Sequence, residues 1–221
     1  MTVAILPMKP PELGKTRLAE AFDAPFRKAL AAAMFADVLT ALTRSALVDR
    51  VIVITSDFDC ARTAVLHDAE YLDDPGLADH SSAAAFGASH AAESGAERVL
   101  LVPGDCPALD PGEVDALLAR EVPDRSCLVI PDRHGTGTNA LLLSPWDAIA
   151  PGFGPGSCER HLERAAAANV HGEVVSVRSL GLDVDTAEDL DSLLEHLSAV
   201  RGNAAHTRGL LRQLGRAGSH A

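Results

Sequence analysis

Short apolar runs alternate with longer helical patterns along most of the chain, and that alternation restricts the fold more than any single residue. Arg50-Val-Ile-Val-Ile-Thr55 is almost wholly apolar, the pattern of a strand covered on both faces in a parallel sheet. Phe26–Leu47 carries apolar residues at spacings of three and four, which predicts a helix. The same reading predicts further strands over Thr2–Leu6, Glu70–Leu72, Arg98–Pro103, Ser126–Pro131, Ala140–Ser144 and Glu173–Val177. It predicts further helices over Asp59–Leu66, Ser82–Ser94 and Pro111–Arg120, from Ser157 to Ala168, and from Thr186 to about Val200. Strands and helices in alternation mean an α/β protein, a single-domain three-layer sandwich around a mostly parallel sheet. The domain is expected over residues 1–200. From Arg201 onward there is little periodicity, and that segment is expected to be a loose basic tail.

The chain has 221 residues, 47% of them hydrophobic, enough for one domain with a core of its own. Its net charge of −12 argues against non-specific nucleic-acid binding, which needs a basic face. The tail carries Arg201, Arg208, Arg212 and Arg216 and no acid, so the body is more acidic than the whole. Cys60, Cys106, Cys127 and Cys158 lie far apart with no Cys-x-x-Cys pair. They read as buried thiols in a reducing compartment rather than a zinc site or disulfide framework. No cationic leader and no apolar run of about 20 residues is visible, so a cytoplasmic protein away from the membrane is expected. Oligomeric state stays open, and a homo-oligomer is compatible with everything above.

Two glycine-rich turns carry the chemistry. Gly135-Thr-Gly-Thr138 and Phe153-Gly-Pro-Gly-Ser157 flank the apolar run ending at Ser144. Glycine lets a backbone approach an anion closely, and successive N–H groups in such turns form anion sites. Ser157 also opens a helix, whose positive end favours negative charge. Two anion cradles point to a substrate with both phosphate and carboxylate. In sheets of this type ligands lie beyond the carboxyl ends of the strands, and other motifs fall there too. Gly14-Lys15-Thr16 imitates the end of a Walker A loop, but Lys9 stands where that loop needs glycine, and Pro10 and Pro11 remove N–H groups. The segment is better read as a strand-to-helix loop whose Lys9, Lys15 and Arg17 hold a triphosphate. Asp105 emerges after an apolar strand in Gly104-Asp-Cys-Pro107. Asp183 and Asp185 alternate, so both face one way if the segment is extended. Such carboxylates suit Mg²⁺, although Asp185 fits equally as the N-cap of the helix that follows. His134 reads as a solvated turn residue, and His161 fits equally as a site wall or as packed surface. No arrangement for covalent catalysis is present.

Taken together and in order, Pro7-x-Lys9, Lys15-x-Arg17-Leu18, Gly104-Asp-x-Pro107, Gly135-Thr-Gly-Thr-Asn-Ala-Leu-Leu-Leu143, Phe153-Gly-Pro-Gly-Ser157 with His161, and Asp183-Val-Asp-Thr-x-x-Asp-Leu190 resemble the guanylyltransferases of coenzyme F-420 biosynthesis. These act on phosphoenolpyruvate or 2-phospho-L-lactate. The resemblance covers about Met1–Leu197. It implies a fold of the nucleotide-diphospho-sugar transferase type, GT-A or Rossmann-like. It implies that Thr138, Gly154 and Ser157 bind the three-carbon phosphate and that Lys9, Lys15 and Arg17 hold GTP. It makes Lys15, Arg17 and Asp105 catalytic and gives Mg²⁺ to Asp105 with Asp183 or Asp185. At the nucleotide base the family pattern has Leu-Asn-x-Ala, where this chain has His80-Ser81-Ser-Ala83, so Ser81 takes the asparagine's place. The expected reaction is GMP transfer from GTP to phosphoenolpyruvate, releasing pyrophosphate. Transfer to 2-phospho-L-lactate or 3-phosphoglycerate, and a nucleotide-binding module without turnover, are the alternatives.

Overall fold

The computed structural model describes residues 1–10, 16–200 and 202–218. Among these described residues seven strands form one sheet: β1 Thr2–Pro7, β2 Arg50–Thr55, β3 Glu70–Asp73, β4 Arg98–Leu101, β5 Ser126–Pro131, β6 Thr138–Ser144 and β7 His171–Val174. Their order is β3-β2-β1-β4-β6-β5-β7. Every neighbouring pair is parallel except those of β6, which runs antiparallel to both β4 and β5. The helices are α1 Ala24–Arg44, α2 Phe58–Leu66, α3 His80–Glu93, α4 Pro111–Leu118, α5 Ser157–Ala167, α6 Ala187–Ala199 and α7 Ala205–Gly218.

The buried strands explain why the apolar runs are continuous. On β1, Ala4 and Leu6 face one core with Val51, Val53, Leu100 and Leu128, closed by Phe35, Leu39 and Leu42 of α1 and Val114 of α4. Val3 and Ile5 face the other core with Ile52, Ile54, Leu101 and Val129, closed by alanines of α3 and by Cys158 and Ala165 of α5. A strand covered on both faces has few positions for a polar side chain, and each fully buried Leu, Ile or Val stabilises by about 1.5–3 kcal/mol. The three-layer expectation is met. All four cysteines are buried thiols. Among the described residues no helix is long and apolar enough to cross a membrane.

Two expectations need correction. The last strand lies at His171–Val174 rather than Glu173–Val177, because its register is set by parallel pairing of Ser126 with His171 and Val129 with Val174. The segment expected as a loose tail contains α7, which docks on α1. Asp37, buried in α1, accepts from His206 N–H at 2.9 Å and Thr207 N–H at 2.8 Å, capping α7 from another helix. Arg208 donates to carbonyls of Leu197 and Asn203, so one of the tail's arginines is used internally.

Candidate active site

One edge of the sheet collects the candidate residues. The ends of β1, β4, β5 and β7 and the start of the antiparallel β6 all lie there, which is why Lys9, Asp105, Asp132, Thr138 and the 178–185 segment meet although they are far apart in sequence.

The first half of the site is a cavity of about 230 Å³ lined by residues that include Lys9, His80, Gly104, Asp105 and Asp185. Val184 N–H donates to the Asp105 carbonyl at 3.2 Å, and this backbone bond draws the two acidic segments together. Asp183 is bridged from the other side: Asn139 Nδ2 donates to its Oδ1 at 2.9 Å and to the Leu180 carbonyl at 2.6 Å. Burial raises the Asp183 carboxyl's pKa and the Asn139 bond opposes it, while the charges of Asp105 and Asp185 raise it further. Arg17 Nη1 comes within 3.9 Å of Asp185 Oδ2; both side chains are exposed, so the pair guides more than it stabilises. Asp185 does not cap α6. Thr186 does, in a capping box with Asp189. Asp189 in turn accepts from the backbone of Asp185 and Thr186 and pairs with Arg133 at 2.8 Å. Lys15 lies outside the described residues.

Asp105, Asp183 and Asp185 offer only oxygen donors, and their mutual repulsion is visible at Asp183. That donor chemistry suits a hard divalent cation. Among the described residues no three acidic, histidine or cysteine groups are already closed into a metal-holding cluster.

The second half surrounds Thr138, and here the expected open cradles are found largely filled. The Asp132 carboxylate accepts from His134 N–H at 3.1 Å, Thr136 N–H at 3.0 Å and Gly137 N–H at 2.9 Å. The Gly-Thr-Gly-Thr loop thus wraps an anion of the chain itself. Gly137 is required for this: a Cβ there would stand 2.5 Å from Asp132 Oδ2. At the second turn, Ser157 N–H bonds the Gly154 carbonyl and Cys158 N–H bonds the Thr136 carbonyl, so these two amides at the start of α5 serve the loops. Gly154 has φ +107°, which L side chains rarely adopt.

Between the two turns lies a hydroxyl pair, of which Thr138 alone is partly exposed. Ser157 is fully buried and donates from Oγ to Thr138 Oγ1 at 3.0 Å. His161, also fully buried, is 3.0 Å from the same oxygen through Nδ1 and accepts from Gly152 N–H through Nε2 at 2.9 Å. Burial, then the charges of Arg164 and Arg160, push its pKa down to about 4. Arg160 and Arg164 donate to carbonyls of Gly152, Pro155 and Ala150, lashing the turn to α5. Ser81, expected at the nucleotide base, accepts from Phe153 N–H at 2.9 Å and so holds this turn. Phe153 stands edge-on to both His80 and His161, with centroids 4.9 and 5.6 Å away, joining the two halves. His134 is exposed, as a solvated turn residue should be.

Sequence reasoning missed His80, Asp132 and Asn139 as functional positions. Asp132 was detectable, since an Asp opening an Asp-x-x-Gly turn commonly accepts from the backbone just beyond it. Asn139 carried no signal, because its partners lie 41 and 44 residues away.

Known proteins match this chain over nearly its whole length. A family model described as "Guanylyl transferase CofC like" matches residues 2–219. A phosphoenolpyruvate guanylyltransferase of Conexibacter woesei is 50% identical over 214 residues, 96% of each chain. A 2-phospho-L-lactate guanylyltransferase of Methanothermobacter thermautotrophicus is 34% identical, over 96% of this chain and 91% of its own. Among solved structures, one assigned to the nucleotide-diphospho-sugar transferases, from Desulfovibrio desulfuricans G20, superposes with a TM-score of 0.74 at 20% identity. It covers 96% of this chain and 94% of its own, which establishes the fold.

Proposed function

The chain belongs to the CofC-like guanylyl transferase family, and on that premise we propose that it moves GMP from GTP onto the phosphate of phosphoenolpyruvate in coenzyme F-420 biosynthesis. The products are enolpyruvyl-diphosphoguanosine and pyrophosphate. The choice of acceptor rests on the 50% identical relative that bears the phosphoenolpyruvate name. The observation that carries the chemistry is the convergence of the Asp105 and Asp183–Asp185 segments, tied by the Val184–Asp105 backbone bond beside Lys9.

A phosphate oxygen of the acceptor attacks the α-phosphorus of GTP. The bond from that phosphorus to the bridging oxygen breaks, and its electron pair leaves on pyrophosphate. Such transfers depend on positioning and on neutralising charge. Lys9 and Arg17, with Lys15, offset the charge of the triphosphate, and the Thr138 hydroxyl donates to the acceptor. Asp105, Asp183 and Asp185 would hold Mg²⁺, which supplies Lewis-acid polarisation of phosphate oxygens when bound. The test is pyrophosphate release from each nucleoside triphosphate, with Mg²⁺, against phosphoenolpyruvate, 2-phospho-L-lactate and 3-phosphoglycerate. Release with GTP and phosphoenolpyruvate alone is expected. Release with GTP and 2-phospho-L-lactate alone would favour the acceptor named for the archaeal relative. No release with any pair would overturn the proposal.

A further inference from the structure

His161 is a buried histidine to which the reaction above gives no task, yet both of its ring nitrogens are engaged. Gly152 N–H points at Nε2. A backbone amide can only donate, so Nε2 carries no proton, and in a neutral imidazole the proton is then on Nδ1. Nδ1–H therefore donates to Thr138 Oγ1. The Ser157 hydroxyl donates to the same oxygen. A hydroxyl has two lone pairs and one proton, so Thr138, with two donors aimed at it, has only its own proton left to offer. Were the Ser157–Thr138 bond reversed, the spare proton would sit on a side chain with 0% exposure. On Thr138, which is partly exposed, it reaches the site.

We propose that His161 is a positioning residue: by holding one tautomer it turns the Thr138 hydroxyl into an obligate donor toward an anionic oxygen of the acceptor substrate. The inference rests on the guanylyl-transfer reading for the identity of that acceptor. A substrate group that needs a hydrogen-bond acceptor from the protein finds none on Thr138, so the arrangement selects for groups that accept, and an anionic oxygen makes the strongest such bond. Burial and the two arginines of α5 keep the imidazole uncharged at neutral pH, and the direction of the relay is then constant.

Two variants separate this role from mere packing. His161→Gln leaves an oxygen that can accept from Gly152 N–H but offers no donor where Nδ1 stood. His161→Asn keeps an N–H near that position and gives up the Gly152 bond. Phosphoenolpyruvate binding is read by titration calorimetry in the presence of a non-hydrolysable GTP analogue, alongside the KM for each substrate, with circular dichroism to establish that both variants are folded. His161→Gln should weaken acceptor binding about tenfold or more, the effect of losing a hydrogen bond to a charged group. Its KM for GTP should stay within about twofold, and His161→Asn should lie nearer the wild type. Equal losses in the two variants, or equal losses for both substrates, would overturn the proposal. Binding without turnover in the wild type would sink the guanylyl-transfer reading while leaving the comparison of variants decisive. No acceptor binding by the folded wild type would overturn both.

Discussion

Around Thr138 the polar groups answer one another within the chain: Asp132 fills its own loop, and His161 and Ser157 both serve one hydroxyl. Around Asp105 and Asp185 like charges are drawn together instead, by a backbone hydrogen bond and by Asn139. The Thr138 half is preorganised, so ligand binding there has little reorganisation to overcome. The acidic half holds carboxylates whose mutual repulsion a cation or a cationic side chain would relieve. It should therefore respond strongly to whatever charge arrives, and the Thr138 half should not.

The sharpest way to break this contrast is Asp105→Asn. Folding should be retained, while turnover at saturating Mg²⁺ should fall roughly a hundredfold or more, on the scale of losing a main electrostatic group. Turnover close to wild type in steady-state assays would remove Asp105 from the chemistry. Asn139→Leu comes next, since it cuts the link between the halves and leaves the half-buried Asp183 without its partner. Stability should drop by about 1–3 kcal/mol, read in denaturant melts, and an unchanged midpoint would mean that Asp183 finds another donor. A smaller effect concerns pH. The folded-state pKa of His161, about 4, lies below its ordinary 6.5, so between those values the unfolded chain binds more protons. Stability should fall as pH drops from 6.5 toward 4, and the fall should be shallower in His161→Asn. Parallel curves for the two proteins would contradict a buried neutral imidazole. The smallest effect is expected from Ser81→Ala, which removes one acceptor for Phe153 N–H. A loss of about 1 kcal/mol with unchanged choice of nucleotide base is expected. Altered base selectivity in a nucleotide panel would mean that Ser81 reads the base after all.

Sequence reading located the sheet well because buried parallel strands leave little room for polar residues; Arg50–Thr55 and Ser126–Pro131 match residue for residue. It located Lys9 and Asp105 because ligand edges follow from strand ends. It failed where a partner is remote. The α7 segment is rich in glycine and arginine, and what docks its start is Asp37, 169 residues away from His206. The glycine loops looked open because nothing local showed that Asp132 would turn back into them. Whether a nest is empty depends on the orientation of one carboxylate, which spacing does not encode.

A last consequence follows from the register of β5 and β6. Ile130 pairs with Ala140 and Pro131 with Thr138, so Asn139 is an extra residue in the ladder, a bulge of the kind found beside functional sites. At this bulge two adjacent residues serve opposite halves of the site, Thr138 reaching α5 and Asn139 reaching Asp183. The site is thus specified by a count of residues as well as by their identities. A one-residue deletion here would keep nearly every side chain and still uncouple the two halves, so laboratory evolution of this site should vary composition in this stretch and leave its length alone.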